Sequence, residues 1–155
     1  MTALHFAYGA NMSRAVMQKY APKAYALGVA ELTDHRFVIT ADGYASVEPE
    51  RASTVHGVLW RITPRDRTKL DAWENVSLGL YRAASLSVRH AGRLMPALVY
   101  FARSGGQGRP KPGYIELVAE AARQWDLPQA YINDLTSFAA KRPLGAHARK
   151  IGEFR

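Results

Sequence analysis

The run Thr54-Val55-His56-Gly57-Val58-Leu59-Trp60-Arg61-Ile62, followed at once by Thr63-Pro64, carries the clearest structural signal in the chain. It is rich in β-branched and aromatic residues, and Val58, Trp60 and Ile62 recur with a period of two, which predicts a strand. Thr63 can then cap a helix. Pro64 suits the first helical position, and Asp66, three residues past the cap, is favourable at the positive end of a helix. This helix is expected to run to about Glu74.

Upstream, Leu4, Phe6 and Tyr8 alternate with His5 and Ala7 and stop at Gly9, which predicts a strand feeding a tight turn, with a helix over 13–20. Three strand candidates follow, 26–32, 36–40 and 44–47, separated by the turn signals Thr33-Asp34 and Asp42-Gly43. Downstream, 80–88 should face inward through Ala84 and Leu86. Residues 94–101 are apolar on both faces, as in an interior strand, and the two form a hairpin turning at 90–92. The segment 104–113 holds four glycines and two prolines and is expected to be a mobile loop. Tyr114, Leu117, Val118, Ala121 and Trp125 recur at helical spacing, as do Tyr131, Leu135 and Phe138 after Pro128. Strands and helices in this order predict an α+β fold: a small mixed sheet or barrel with helices packed outside it.

The chain has 155 residues, 48% hydrophobic and 22% charged, so a single domain over 1–155 with a basic tail at about 141–155 is expected. It contains no cysteine, which excludes disulfides, thiolate metal sites and cysteine nucleophiles. No apolar run reaches the length of a membrane span, and the first ten residues lack the pattern of a signal peptide. A cytoplasmic protein without membrane contact is the expectation. The net charge is +8, but Lys and Arg are scattered, with local enrichment only at 103–111 and 141–155, so nucleic acid is not an expected partner.

Two segments could carry chemistry. The first is Phe6-Ala7-Tyr8-Gly9-Ala10-Asn11-Met12, a strand ending in a small-residue turn before a helix. Backbone N–H groups exposed there could receive a carboxylate or a developing oxyanion; equally, the segment could be a plain strand-to-helix connection. The second is Leu70-Asp71-Ala72-Trp73-Glu74-Asn75-Val76. Glu74 lies four residues after Leu70 and so falls on the apolar side beside Trp73, whereas Asp71 and Lys69 can point to solvent. Poor hydration and the negative helix end would both raise the pKa of such a carboxyl group towards that of a general acid or base. A helix-terminal glutamate in a salt bridge fits the same spacing. The five histidines show no metal-ligand spacing, no Gly-x-Ser-x-Gly elbow occurs, and Gly105-Gly106-Gln107-Gly108 lacks a nucleotide-binding fingerprint.

In this order the segments resemble the γ-glutamylcyclotransferase-like family, which includes BtrG-type enzymes and plant avirulence-induced proteins. Phe6 to Asn11 is similar to its Tyr-Gly-Ser-Asn loop, and His56 to Trp60 to its Gly-Val-Leu-Trp strand. Leu70 to Val76 is similar to its Leu-Asp-x-x-Glu-Gly-Val segment, and Gly79 to Tyr81 to the Gly-x-Tyr that follows. The resemblance implies a catalytic Glu74, a substrate-binding loop at Tyr8, Gly9, Ala10 and Asn11, and pocket-lining aromatic rings at Tyr81 and Tyr114. It further implies a small-molecule γ-glutamyl substrate, release of 5-oxoproline without cofactor or metal, and a monomer or homodimer. The chain departs from the family pattern twice. Ala10 replaces serine and removes a hydroxyl, and Asn75 replaces glycine, although asparagine tolerates a positive φ. A non-catalytic small-ligand-binding module on the same fold is the alternative that these departures favour.

Overall fold

The computed structural model describes residues 2–103, 105 and 107–141. Strand β1 (Ala3–Ala7) leads through a 3-10 turn (Ala10–Met12) into helix α1 (Arg14–Tyr20). Ser13 caps this helix by accepting the Val16 N–H at 3.3 Å. Strands β2 (Tyr25–Ile39) and β3 (Ala45–Ile62) form a long antiparallel hairpin, and helix α2 (Pro64–Trp73) follows β3 directly. A second hairpin, β4 (Tyr81–His90) and β5 (Arg93–Ala102), precedes helices α3 (Tyr114–Gln124) and α4 (Gln129–Ser137).

The strands close into a barrel in the order β1-β3-β2-β4-β5. Contact between β1 and β5 is parallel and completes the ring; the other pairs are antiparallel. This is the α+β barrel the sequence predicts. Closure leaves no open sheet edge and explains why Ala97, Leu98, Val99 and Tyr100 of β5 are buried consecutively. On β4, Val88 is fully buried and Leu86 packs on the core, while Ala84, expected to face inward, stays half-buried.

The expected strands 26–32 and 36–40 are one strand. Asp34 does adopt a left-handed backbone, φ 58°, but the register shift between Thr33 and His35 is a bulge in the β2–β3 ladder, not a turn: Asp34 alone on β2 faces residues 50–53 of β3. The Asp34 carboxylate accepts the Ala52 N–H across the pair at 3.0 Å, which holds the bulge. Likewise the candidate at 44–47 and the strand read at 54–62 are the two ends of β3, joined by a stretch whose residues 49–52 are exposed. Pattern reading misses such an extension because neither face is apolar there. Only Asp42-Gly43 is a true turn, with Gly43 at φ 90°.

Gly57 has a packing reason to be glycine. A Cβ on it would lie 2.2 Å from the Ala7 carbonyl oxygen, where β1 crosses closely over β3. Helix α2 begins as expected, in a reciprocal capping box: the Asp66 N–H donates to Thr63 Oγ1 at 3.1 Å, and the Thr63 N–H to Asp66 Oδ2 at 3.2 Å. Asp66, Leu70 and Trp73, spaced i, i+4, i+7, form the buried face of the helix, with Trp73 stacked on Tyr20 at 4.9 Å. The second hairpin turns at Ala91-Gly92, both with positive φ, 50° and 78°.

Part of the glycine-rich loop departs from the expected mobility. The N–H groups of Gln107 and Gly108 donate to the Ile39 carbonyl at 2.9 and 2.8 Å, and that of Lys111 to Gly43 at 3.0 Å, so 107–111 is fastened to the β2–β3 turn. The absent side chain of Gly108 permits this approach, since a Cβ would fall 1.8 Å from the Thr40 oxygen. Of the basic tail, residues 142–155 lie outside the described residues. Among the described residues no helix is long and apolar enough to cross a membrane.

Candidate active site

At the end of β1 the chain is buried from His5 to Ser13, so the turn that follows is built into the protein rather than laid over it. The Tyr8 hydroxyl donates to the Tyr100 carbonyl, locking the end of β1 to β5. The Met12 N–H donates to the Gly9 carbonyl at 3.0 Å and that of Ser13 to Ala10 at 3.0 Å. These are the first bonds of the 3-10 turn, so the N–H groups of Ala10 and Asn11 are not consumed within it. The Trp125 indole N–H donates to the Met12 carbonyl at 2.8 Å and fastens the far side of the loop to the end of α3.

Glu74 enters from the opposite wall. It is the C-cap of α2, its N–H bonded to the Leu70 carbonyl at 2.9 Å, and the residue is only 4% exposed. The backbone leaves the helix through Asn75 at φ 55°, ψ 42°, the left-handed conformation that glycine or asparagine accepts most easily. The Asn75 carbonyl then receives the N–H groups of Leu78 and Leu80 at 3.1 and 3.3 Å. Replacement of glycine by asparagine at this position therefore preserves the turn that aims Glu74.

Tyr114, the first residue of α3, is buried, and its hydroxyl accepts the Ala45 N–H at 3.3 Å. Glu74, Tyr114 and all four residues of the predicted loop, Tyr8, Gly9, Ala10 and Asn11, line one cavity of about 10 Å³, room for about one water. Tyr81 lies elsewhere. Its hydroxyl donates to the Ala45 carbonyl at 2.6 Å, and the ring lines a neighbouring cavity of about 340 Å³ with Tyr44, Asn75, Leu80 and Lys111. Glu74 forms a wall common to both cavities.

Sequence reasoning misses three polar residues here. His5 and Tyr100 line the small cavity, with His5 buried and its ring edge-on to Tyr100 at 5.5 Å. Burial lowers the His5 pKa to about 4, outweighing the hydrogen bond to the Leu98 carbonyl that acts the other way, so the imidazole is neutral at physiological pH. The Tyr100 hydroxyl donates to Asp71 Oδ1 at 2.6 Å; burial first, and that hydrogen bond second, raise its pKa far above the ordinary tyrosine value. Asp71, expected to point to solvent, is thus half-buried and bound to the cavity wall, with Arg67 Nε 3.8 Å from its other oxygen. The alternation of His5 with Phe6 and Tyr8 sets it on the other face of the strand. In a closed barrel covered by helices that face is buried as well.

A closed five-stranded barrel with helices packed outside it is the fold of γ-glutamylcyclotransferase-like proteins. Residues 54–135 match the AIG2-like family, more than half of the chain, and the chain belongs to that family. Its fold is similar to that of a structure described as a γ-glutamyl cyclotransferase, at 22% identity and a TM-score of 0.86 over 99% of this chain and 97% of that one. An uncharacterised protein from Homo sapiens superposes with a TM-score of 0.85 at 22% identity, covering 98% and 96% of the two chains. YkqA from Bacillus subtilis gives a TM-score of 0.78 at 24% identity over 93% of this chain and 56% of its own. No curated protein sequence matches this one.

Proposed function

We propose that the protein is a cyclotransferase that converts a γ-glutamyl amine or γ-glutamyl amino acid to 5-oxoproline and the free amine. The observation that carries this reading is the convergence of Glu74 and the Tyr8–Asn11 loop on one cavity. Membership of the AIG2-like family and the likeness to a γ-glutamyl cyclotransferase fold support it.

In this reaction the α-nitrogen of the glutamyl group attacks its own γ-carbonyl carbon. A five-membered lactam forms and the original C–N amide bond breaks. Glu74 takes a proton from the attacking nitrogen and returns it to the departing one, so a single carboxylate serves both halves and no net proton is lost. The N–H groups of Ala10 and Asn11 are available for the glutamyl carboxylate or the oxyanion that develops on the γ-carbonyl. Ring closure is intramolecular, so holding amine and carbonyl in attack geometry supplies much of the acceleration. The 10 Å³ cavity must widen to take a glutamyl group, and the neighbouring 340 Å³ cavity, which shares Glu74 as a wall, offers a way in.

The test is incubation of the purified protein with a panel of γ-glutamyl amino acids and γ-glutamyl amines, following 5-oxoproline by mass spectrometry. Glu74→Gln should keep the fold and substrate binding while turnover falls by roughly two to four orders of magnitude, the range for a removed general acid/base. A variant as active as wild type would remove Glu74 from the chemistry. Absence of product from every member of the panel would overturn the reaction itself.

A further inference from the structure

His5 takes no part in the reaction proposed above, yet it is a buried polar side chain in the wall of the same cavity, 1% exposed. Its two ring nitrogens have different partners. Nδ1 lies 3.4 Å from the Leu98 carbonyl oxygen, which can only accept, so Nδ1 carries the ring proton. A neutral imidazole has one such proton, and Nε2 is therefore bare. The side-chain atom of Asn11 that lies 3.0 Å from Nε2 must then be the amide nitrogen, donating to it.

This chain of partners removes the usual freedom of an asparagine side chain. Turning the Asn11 amide over would set its carbonyl oxygen against the Nε2 lone pair, with both groups buried. Nor can the imidazole turn freely, because it packs in a T-shaped contact with Tyr100, which is itself held by the 2.6 Å bond to Asp71. With the amide nitrogen turned to His5, the carbonyl oxygen is the part of the amide left for a ligand. Asn11 is also the sole source of a side-chain hydrogen-bonding group among residues 9–11, since Ala10 brings no hydroxyl.

Resting on the γ-glutamyl reading of the cavity, we propose that His5 is a positioning residue that fixes the Asn11 amide so that its carbonyl oxygen accepts from the substrate's α-ammonium group. The loop then recognises both ends of the amino acid moiety. Backbone N–H groups of Ala10 and Asn11 face the carboxylate, and the Asn11 side chain holds the nitrogen that must attack. A loop of backbone donors alone would bind the carboxylate and leave the amine unoriented.

A double-mutant cycle on 5-oxoproline formation tests this. His5→Phe should lower kcat/KM about ten- to a hundredfold, the scale of one lost buried hydrogen bond. In an Asn11→Ala background the same change should cost no more than about twofold, because the residue it acts through is gone. His5→Gln, whose side-chain carbonyl can accept the same N–H, should recover most of the loss. Independent, multiplicative losses in the double variant would overturn the positioning role. Long-range ¹H–¹⁵N spectra of the unmodified protein provide a readout that does not depend on turnover or on variants folding: Nδ1 of His5 protonated and Nε2 bare is the expected tautomer, and the reverse overturns the arrangement. A wild type that forms no 5-oxoproline would instead overturn the cyclotransferase reading, whatever the tautomer.

Discussion

The Tyr114 hydroxyl lies 2.9 Å from the point at which a side chain on Gly9 would begin, so the loop and the start of α3 touch only because residue 9 has no Cβ. Real Cβ atoms do not approach an oxygen so closely, and the Ala45 methyl, 3.4 Å away, would be in contact as well. Gly9→Ala should therefore destabilise the protein by about 1–3 kcal/mol, the usual cost of overpacking. Tyr114→Phe should do less harm in the Gly9→Ala background than in wild type, because it removes the atom in conflict. Urea unfolding of the four proteins checks this; equal costs of Tyr114→Phe in both backgrounds would show that the contact is not what fixes Gly9.

Asn75 gives a prediction about backbone rather than packing. Its left-handed conformation costs an ordinary residue about 1–2 kcal/mol and a β-branched one more. Asn75→Gly should leave stability nearly unchanged, whereas Asn75→Val should lower it by about 2 kcal/mol and displace Glu74, which immediately precedes it. Turnover of Asn75→Val should consequently fall further than its melting temperature accounts for. Full activity in that variant would mean that the turn does not aim the carboxylate.

How much of this was legible in the sequence depends on the range of the interaction concerned. The capping box at Thr63 and Asp66, the hairpin turn at Ala91-Gly92 and the burial of Glu74 beside Trp73 are local, set by residues within a few positions of one another. They could be read directly. By contrast, continuity of β2 through Asp34 depends on its carboxylate reaching Ala52, eighteen residues away, and the same dipeptide in isolation signals a turn. The fastening of 107–111 to Ile39 and Gly43 is equally non-local, and glycine content alone suggested mobility.

The site divides in the same way. Gly9, Ala10 and Asn11 adjoin in sequence, and Glu74 stands at a recognisable helix end, whereas Tyr100 and Asp71 meet only because β5 completes the barrel beside α2. Alternation sets His5 on the strand face away from Phe6 and Tyr8, and nothing near it in the chain announces that this face is covered. Barrel closure brings Leu98 opposite it, in the parallel pairing of β1 with β5.

That burial has a measurable consequence for stability against pH. An unfolded chain protonates His5 near pH 6.5, but the folded protein does so only near pH 4. Between these values the unfolded state binds a proton that the folded state refuses, so stability falls as pH falls through this window. By about pH 4 the loss from this one group reaches about 3 kcal/mol, and below it the folded histidine titrates as well and the contribution levels off. His56, whose pKa burial also lowers, contributes in the same direction, and its contribution persists when His5 is replaced. Unfolding free energies from urea titrations between about pH 7 and about pH 4 should therefore fall less steeply for His5→Gln than for wild type, with the two curves converging as the pH drops. Parallel curves would mean that His5 takes up its proton in the folded state at an ordinary pKa, and is not the buried neutral imidazole on which the orientation of Asn11 depends.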